Sequence, residues 1–212
     1  MEWATLRNDY VGNGWFFGTE HRRISFVFAE ISRDSLHPKL FYVRGKDKFQ
    51  KSVTPFTGTL QIKALADLPD HGFLDMDSAS SQAYTIKADF VFLEKPGAAT
   101  SGKFVGTAFL DFFIDGSGGL QIAQTVEIPD VTAPARGAGV LYQGIWTNYT
   151  GRQTKPLVLT NNIMLVAPEM LPHFGIGERS GQINPKYAKL GWNDLMENDE
   201  WWADSPKPKL SL

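Results

Sequence analysis

Four histidines, His21, His37, His71 and His173, are the first side chains that could do chemistry. None stands in a His-Glu-x-x-His pattern or another close ligand pair, so no metal site is expected. Asp70-His71 followed by Asp75 and Asp77 clusters donors that suit a hard cation, but the spacing is not that of an EF-hand, and a solvated loop accounts for it. Asp89 and Asp111 fall on the partly polar faces of neighbouring segments. Two carboxylates of this kind divide into acid and base when one is desolvated. Glu20-His21-Arg22-Arg23 joins a proton-transfer pair to two guanidinium groups able to hold a carboxylate; a charged rim explains it equally. Gly116-Ser117-Gly118-Gly119 lacks the Lys-Ser/Thr ending of a phosphate loop and reads as a turn. No Gly-x-Ser-x-Gly elbow occurs. The chain has no cysteine, which removes thiolate catalysis, thiolate zinc sites and disulfides. No catalytic motif and no cofactor is called for, and the chain leans away from an enzyme.

The aromatic residues point elsewhere. Trp15, Tyr42, Tyr142 and Trp146, with Tyr149, are candidates to line the mouth of a barrel, where apolar pockets with a few polar groups are usual. Glu178 and Arg179 lie in a Gly-rich segment followed by Tyr187 and Trp192, expected to close one barrel end and to contribute to ligand binding. Trp201-Trp202 suits a protein-partner patch, because Trp is favoured at interface hot spots.

Those candidates need elements to carry them. Tyr84 to Glu94 and Phe104 to Asp115 read as two long strands joined by a connector with Pro96, Gly97, Ser101 and Gly102. Ile86, Ala88, Phe90 and Phe92 share one face of the first; Ala108, Leu110, Phe112 and Ile114 share one face of the second. Further strands are expected at Trp15–Thr19, Ile24–Ile31, Leu40–Arg44, Phe56–Leu65, Leu120–Ile128, Val140–Tyr149 and Leu157–Val166. The polar run from Lys46 to Lys51 reads as a solvated loop. Asn184-Pro185 is a helix-start signal, with Gly191 as the stop, and Asn193–Ala203 is a second helix candidate. Residues 1–204 form one domain, with a frayed tail over 205–212.

An aromatic residue, a spacer and a glycine recur in Phe16-Phe17-Gly18, Phe56-Thr57-Gly58, Phe104-Val105-Gly106 and Tyr142-Gln143-Gly144. A strand glycine permits a sharp bend, and the aromatic two residues earlier would pack over the gap. About eight strands creased in this way predict an all-β chain forming a single antiparallel barrel with a short C-terminal helical segment.

With 212 residues and 42% hydrophobic content, a sizeable core can form. A formal net charge of -2 does not suit nucleic-acid binding, which needs a basic stripe. No apolar run approaches the roughly 18 residues of a membrane span. The first residues lack a leader pattern, so the expectation for compartment leans to the cytoplasm.

Two stretches carry a resemblance: Tyr142-Gln143-Gly144-Ile145-Trp146-Thr147-Asn148-Tyr149-Thr150-Gly151, and Phe174-Gly175-Ile176-Gly177-Glu178 followed by Asn184-Pro185-Lys186-Tyr187 and Gly191-Trp192. With the hairpin from Lys87-Ala88-Asp89-Phe90 through Phe104-Val105-Gly106-Thr107, they resemble a set of uncharacterised bacterial calycin-like, lipocalin-like β-barrel proteins over residues 50–195. The resemblance implies the barrel fold and brings no activity with it. The expected function is therefore non-catalytic binding of a small apolar or amphipathic ligand. The alternatives are a metal-independent enzyme using a carboxylate or His in the cavity, and an interaction module with a filled barrel.

Overall fold

The computed structural model describes residues 11–16, 21–68, 82–97, 101–125, 132–175, 182–193, 195 and 201–203, with backbone alone for 11–16 and 182. Nine strands form one antiparallel sheet: β1 (Val11–Phe16), β2 (Arg22–Arg33), β3 (Leu40–Phe49), β4 (Ser52–Asp67), β5 (Ala83–Glu94), β6 (Gly102–Ile114), β7 (Leu120–Ile122), β8 (Val140–Asn148) and β9 (Thr154–Thr160). The order β5-β4-β3-β2-β1-β9-β8-β6 is completed by a β5–β6 pairing, so eight strands close into a barrel and β7 extends alongside the far part of β6. β1 leads to β2, β3 to β4, β5 to β6 and β8 to β9 at one end of the barrel, and the remaining connections lie at the other.

Alternation decides what lies inside. Along β5, Ile86, Ala88, Phe90 and Phe92 point inward and are buried, while Lys87, Asp89 and Val91 are exposed. Phe104, Ala108, Leu110 and Phe112 do the same along β6. The inward rings meet edge to face and offset: Phe26 lies 5.1 Å from Phe104, Phe28 5.7 Å from Phe92, and Phe90 4.9 Å from Phe92. Tyr142 closes the group, stacked 5.7 Å from Phe28. Phe26, Leu60, Ala88, Phe104 and Phe112 each have 0% of their surface open. A lumen holding a ligand would leave such residues facing water-sized space; the barrel is instead packed by its own side chains, as eight strands permit.

The recurring glycines mark close backbone approaches. Gly106 and Gly144 face each other across β6 and β8. A β-carbon on Gly106 would sit 2.1 Å from the Gln143 carbonyl oxygen and 2.5 Å from the Gly144 Cα. Phe104 and Tyr142, each two residues earlier, point inward over this close approach. Phe17 and Gly18 lie outside the described residues.

Several expectations are corrected. Lys46–Phe49 is not a solvated loop: it continues β3 and pairs with both β2 and β4. β9 ends at Thr160, where Asn161-Asn162 breaks the ladder, and Ile163–Val166 is helical (α1). β7 stops at Ile122: the Ala123 N–H still donates to the Asp111 carbonyl, but the Asp111 N–H donates to Gly139 and does not return to β7; residues 126–131 lie outside the described set. The first strand is Val11–Phe16, and residues 17–20 lie outside that set. In β4 a bulge between Ile62 and Ala64 turns Ala64 outward.

The described C-terminal part is a strap along the barrel wall; the segment with Glu178 and Arg179, expected to close a barrel end, lies outside the described residues. The strap runs from α1 through the turn Pro168–His173, a two-strand pairing of Phe174–Gly175 with Gln182–Ile183, and a short helix α2 (Pro185–Tyr187) continued by the turn Ala188–Trp192. Asn184 caps α2 as expected, its side-chain oxygen accepting the Lys186 N–H at 3.0 Å. Gly191 takes φ 92° within the closing turn. Phe174, Tyr187 and Trp192 are buried against Leu141 and Val158, which alternation places on the outer faces of β8 and β9. The Trp192 indole N–H donates to the His21 carbonyl at 2.7 Å.

Gly106→Val places a branched side chain against the β8 backbone. The expected loss is about 3 kcal/mol, read as a lower urea midpoint with an unchanged slope.

Candidate functional site

The hairpin end of the barrel holds an uncommon arrangement. β3 alternates Phe41, Val43, Gly45 and Asp47 toward the interior, and all four are buried. Asp47 therefore enters the core as part of a strand, 2% exposed. Its Oδ2 is buried without a hydrogen-bond partner. Glu94, the last residue of β5, points in from the same end and is 5% exposed. Glu94 Oε2 accepts from the Trp146 indole at 2.7 Å and from the Gly102 N–H at 2.6 Å. Above them, Lys155 Nζ lies 5.1 Å from the Phe49 ring and 5.4 Å from the Trp146 ring, a cation over two aromatic faces.

Burial pushes the Asp47 carboxyl up to about 8, and the neighbouring Glu94 charge adds to this. Burial also raises Glu94, opposed by its bonds from Trp146 and Gly102. Burial lowers Lys155, helped by the nearby Arg22. In a low-dielectric site a carboxyl near a second carboxyl holds its proton more tightly. Neither carboxyl is hydrogen-bonded to His or Arg among the described residues, and neither is presented at the surface. The pair can hold a proton but does not meet a substrate.

A second feature lies on the outer wall. A groove of about 690 Å³ opens between the β3–β4 turn and the strap. Arg23, Lys48, Lys51 and Lys189 line it, with Ser25, Ser52, Gln50 and Asn193 among its polar groups. No carboxylate stands among the described lining residues. Arg23 is fixed within the wall, donating to the Gly191 carbonyl at 3.4 Å and lying over the Trp192 ring. Gln50 holds the turn in a left-handed conformation, φ 57°. Lys48 Nζ lies 6.0 Å from the Trp201 ring, and Lys46 Nζ donates to the Trp202 carbonyl at 2.7 Å, so the Trp pair borders this groove.

The chain matches no family model, no curated protein and no solved structure. Function is therefore read from the site alone.

The residues expected to share a barrel mouth are dispersed. Trp146 is at the mouth, buried. Tyr142 lies deeper among the packed rings, and burial raises its hydroxyl. Tyr42 is on the outer face, 47% exposed, donating to Asp34 at 2.9 Å. The His37 backbone N–H and the Tyr42 hydroxyl together hold Asp34 down at about 2. Tyr149 is exposed beside the mouth and donates to the Glu94 carbonyl at 2.5 Å. Trp15 stands in register with Arg23 and Val158; its side chain is outside the described set. Glu178, Arg179, His71 and the acidic residues near it also lie outside the described residues. Trp201 and Trp202 pack edge to face, 5.6 Å apart, and are half-buried.

Asp89 and Asp111 do not meet. Asp89 pairs with Thr107 in register and Asp111 with Thr85, two outward rows apart. Asp89 is half-exposed and bound to Lys63 at 3.3 Å. Asp111 is buried and accepts the Ala135 N–H at 2.9 Å, pinning the loop between β7 and β8. His21 lies 3.5 Å from Glu169, while Arg22 sits near Lys155. Asp47, Lys155 and the groove lysines were not legible as site residues. The one sequence signal was parity: Asp47 falls on the same strand face as Phe41, Val43 and Phe49.

The folded state holds the Asp47 proton more tightly than the unfolded chain does. That contribution is full below the ordinary carboxyl value of 3.8 and is lost as pH rises to about 8. The fall is at most on the order of 5 kcal/mol. Asp47→Asn should flatten the melting temperature between about pH 5 and about pH 8.5, leaving the slope contributed by Glu94. Trp146→Phe, which leaves Glu94 Oε2 short of a buried donor, should cost about 2 kcal/mol in a denaturant titration.

Proposed function

We propose that this protein is a non-catalytic binding barrel that takes a small amphipathic ligand with an anionic end, and that the ligand sits on the outer wall rather than inside. The observation that carries the reading is the contrast between the two places. The lumen is filled by Phe26, Phe28, Phe90, Phe92, Phe104 and Tyr142, whereas the groove beside the β3–β4 turn offers about 690 Å³ and several cationic lining residues. Ammonium groups, hydroxyls and amides on a groove wall favour an anion. Trp201, at the Lys48 edge, supplies an aromatic face for the apolar part. Within this reading the resemblance to calycin-like, lipocalin-like bacterial barrels is one of architecture, with the ligand displaced to the exterior.

An enzyme using the barrel carboxylates is disfavoured, because Asp47 and Glu94 are sealed beneath Trp146 and Lys155. The test uses the fluorescent anion 8-anilinonaphthalene-1-sulfonate as probe. The folded protein should bind it at one site, with inorganic phosphate competing weakly. Lys51→Glu with Lys189→Glu should weaken binding at least about 10-fold without changing the melting temperature. Unchanged probe affinity in that double variant would remove the groove as the site.

A further inference from the structure

The groove and the buried carboxyl pair stand on opposite faces of one strand. Along β3, Lys46 and Lys48 take outward positions, and Asp47 between them points inward. Lys48 lines the groove, as do Arg23 and Ser25 on the outward positions of β2, where Ser25 is the register partner of Lys48. Only two register pairs, Lys48 with Val53 and Phe49 with Ser52, separate Asp47 from the turn. That turn supplies Gln50, Lys51 and Ser52 to the same side of the groove. The wall between Asp47 and a groove occupant is therefore a single strand thick.

Asp47 is placed to act across that wall. It is 2% exposed, and its Oδ2 has no hydrogen-bond partner among the described residues, so a charge on that oxygen would be uncompensated. On the interior face at this end, strand parity sets Glu94 on β5, Lys155 on β9 and Arg22 on β2. The facing positions of β4, β6 and β8 carry Thr54, Gly102, Trp146 and Asn148, none of which gains or loses a proton near neutrality. The Glu94 charge acts on Asp47 in the same direction as burial: both keep its proton on. An ionised Asp47 is a negative charge in a low-dielectric interior, where its field reaches further than in water, and it stands directly behind the cationic lining.

We propose that Asp47 sets the pH range over which the groove binds: with its proton on, the groove takes an anionic ligand, and with its proton off, the same ligand is repelled across β3. This rests on the outer-wall groove being the binding site. The sign follows from charge alone. A neutral Asp47 adds nothing to the potential at the groove, and an ionised one makes it less positive. Two like charges about 10 Å apart across a protein wall, partly screened by salt, lower a binding constant by about 5-fold. Coupling between two sites is reciprocal. A bound anion therefore tightens the hold on the Asp47 proton, and binding draws protons from solution. Because Asp47 gives up its proton at about 8, affinity is full below that pH and falls above it.

The test follows 8-anilinonaphthalene-1-sulfonate binding to the full chain from about pH 6.5 to about pH 9 at constant ionic strength. The sulfonate stays ionised throughout, so a slope belongs to the protein. Affinity should fall about 5-fold through that range. Asp47→Asn, an isostere of the protonated side chain, should keep the low-pH affinity and lose the fall. Calorimetry in two buffers of different protonation enthalpy supplies a readout that needs no variant. Near pH 8 the unmodified protein should take up about 0.4 of a proton per probe bound. A flat profile without proton uptake, with binding still lost in Lys51→Glu with Lys189→Glu, keeps the groove and overturns the coupling. A fall that persists in folded Asp47→Asn overturns it as well. Probe affinity unchanged by the lysine double variant removes the groove itself, and this inference with it.

Discussion

Packing of large rings inside a closed ring of strands is the constraint on which everything else depends. The interior receives Phe from β2, β3, β4, β5 and β6, and Tyr142 and Trp146 from β8. Those rings fill a space only eight strands wide, and neighbouring backbones come close where a β-carbon is missing. Gly106 opposite Gly144 is the clearest case. Ring and close approach are one device: the backbone comes close because the side chain is absent, and the aromatic residue two positions earlier fills the volume that this opens inside.

The filled interior leaves the outer wall as the place for the binding proposed above. The mouth retains a polar remnant in Asp47 and Glu94, but Trp146 and Lys155 seal it, so its chemistry is confined to holding a proton. The wall is where the molecule varies. One sector is covered by the strap and its buried Tyr187 and Trp192. The groove beside that sector is rich in cations. A third sector shows bare Val, Ile and Thr. The strap itself forms one side of that groove through Ala188, Lys189 and Gly191, so the first two sectors are continuous.

Much of the architecture was legible in the sequence. Period-two alternation from Tyr84 to Glu94 and from Phe104 onward placed the central hairpin and its inward face, and the aromatic-spacer-glycine echo marked places where backbones come close. The Asn184-Pro185 cap was readable because it is local chemistry. What escaped was non-local. Lys46–Lys51 looks like a solvated loop because its composition is polar. Only pairing with β2 and β4 keeps it extended and drives Asp47 into the core, against the desolvation penalty. Tyr187 and Trp192 are apolar enough to cover something, but nothing nearby in the chain says whether they cover an end or a wall. The aromatics proposed to share a mouth were chosen by type, whereas the register sends Tyr42 outward and Tyr142 deep.

The seam between β1 and β9 has a consequence for how the molecule comes into being. It joins the beginning of the chain to residues near 160 through four register pairs, while β2 through β6 are linked by successive neighbours. During synthesis, consecutive hairpins can assemble in order, yet the ring stays open until the ribosome has released β9. Long-range closure of this kind is slow compared with local pairing. For that interval the nascent sheet displays its aromatic face to water, and a newly made chain depends on being shielded from its neighbours until its last strand arrives.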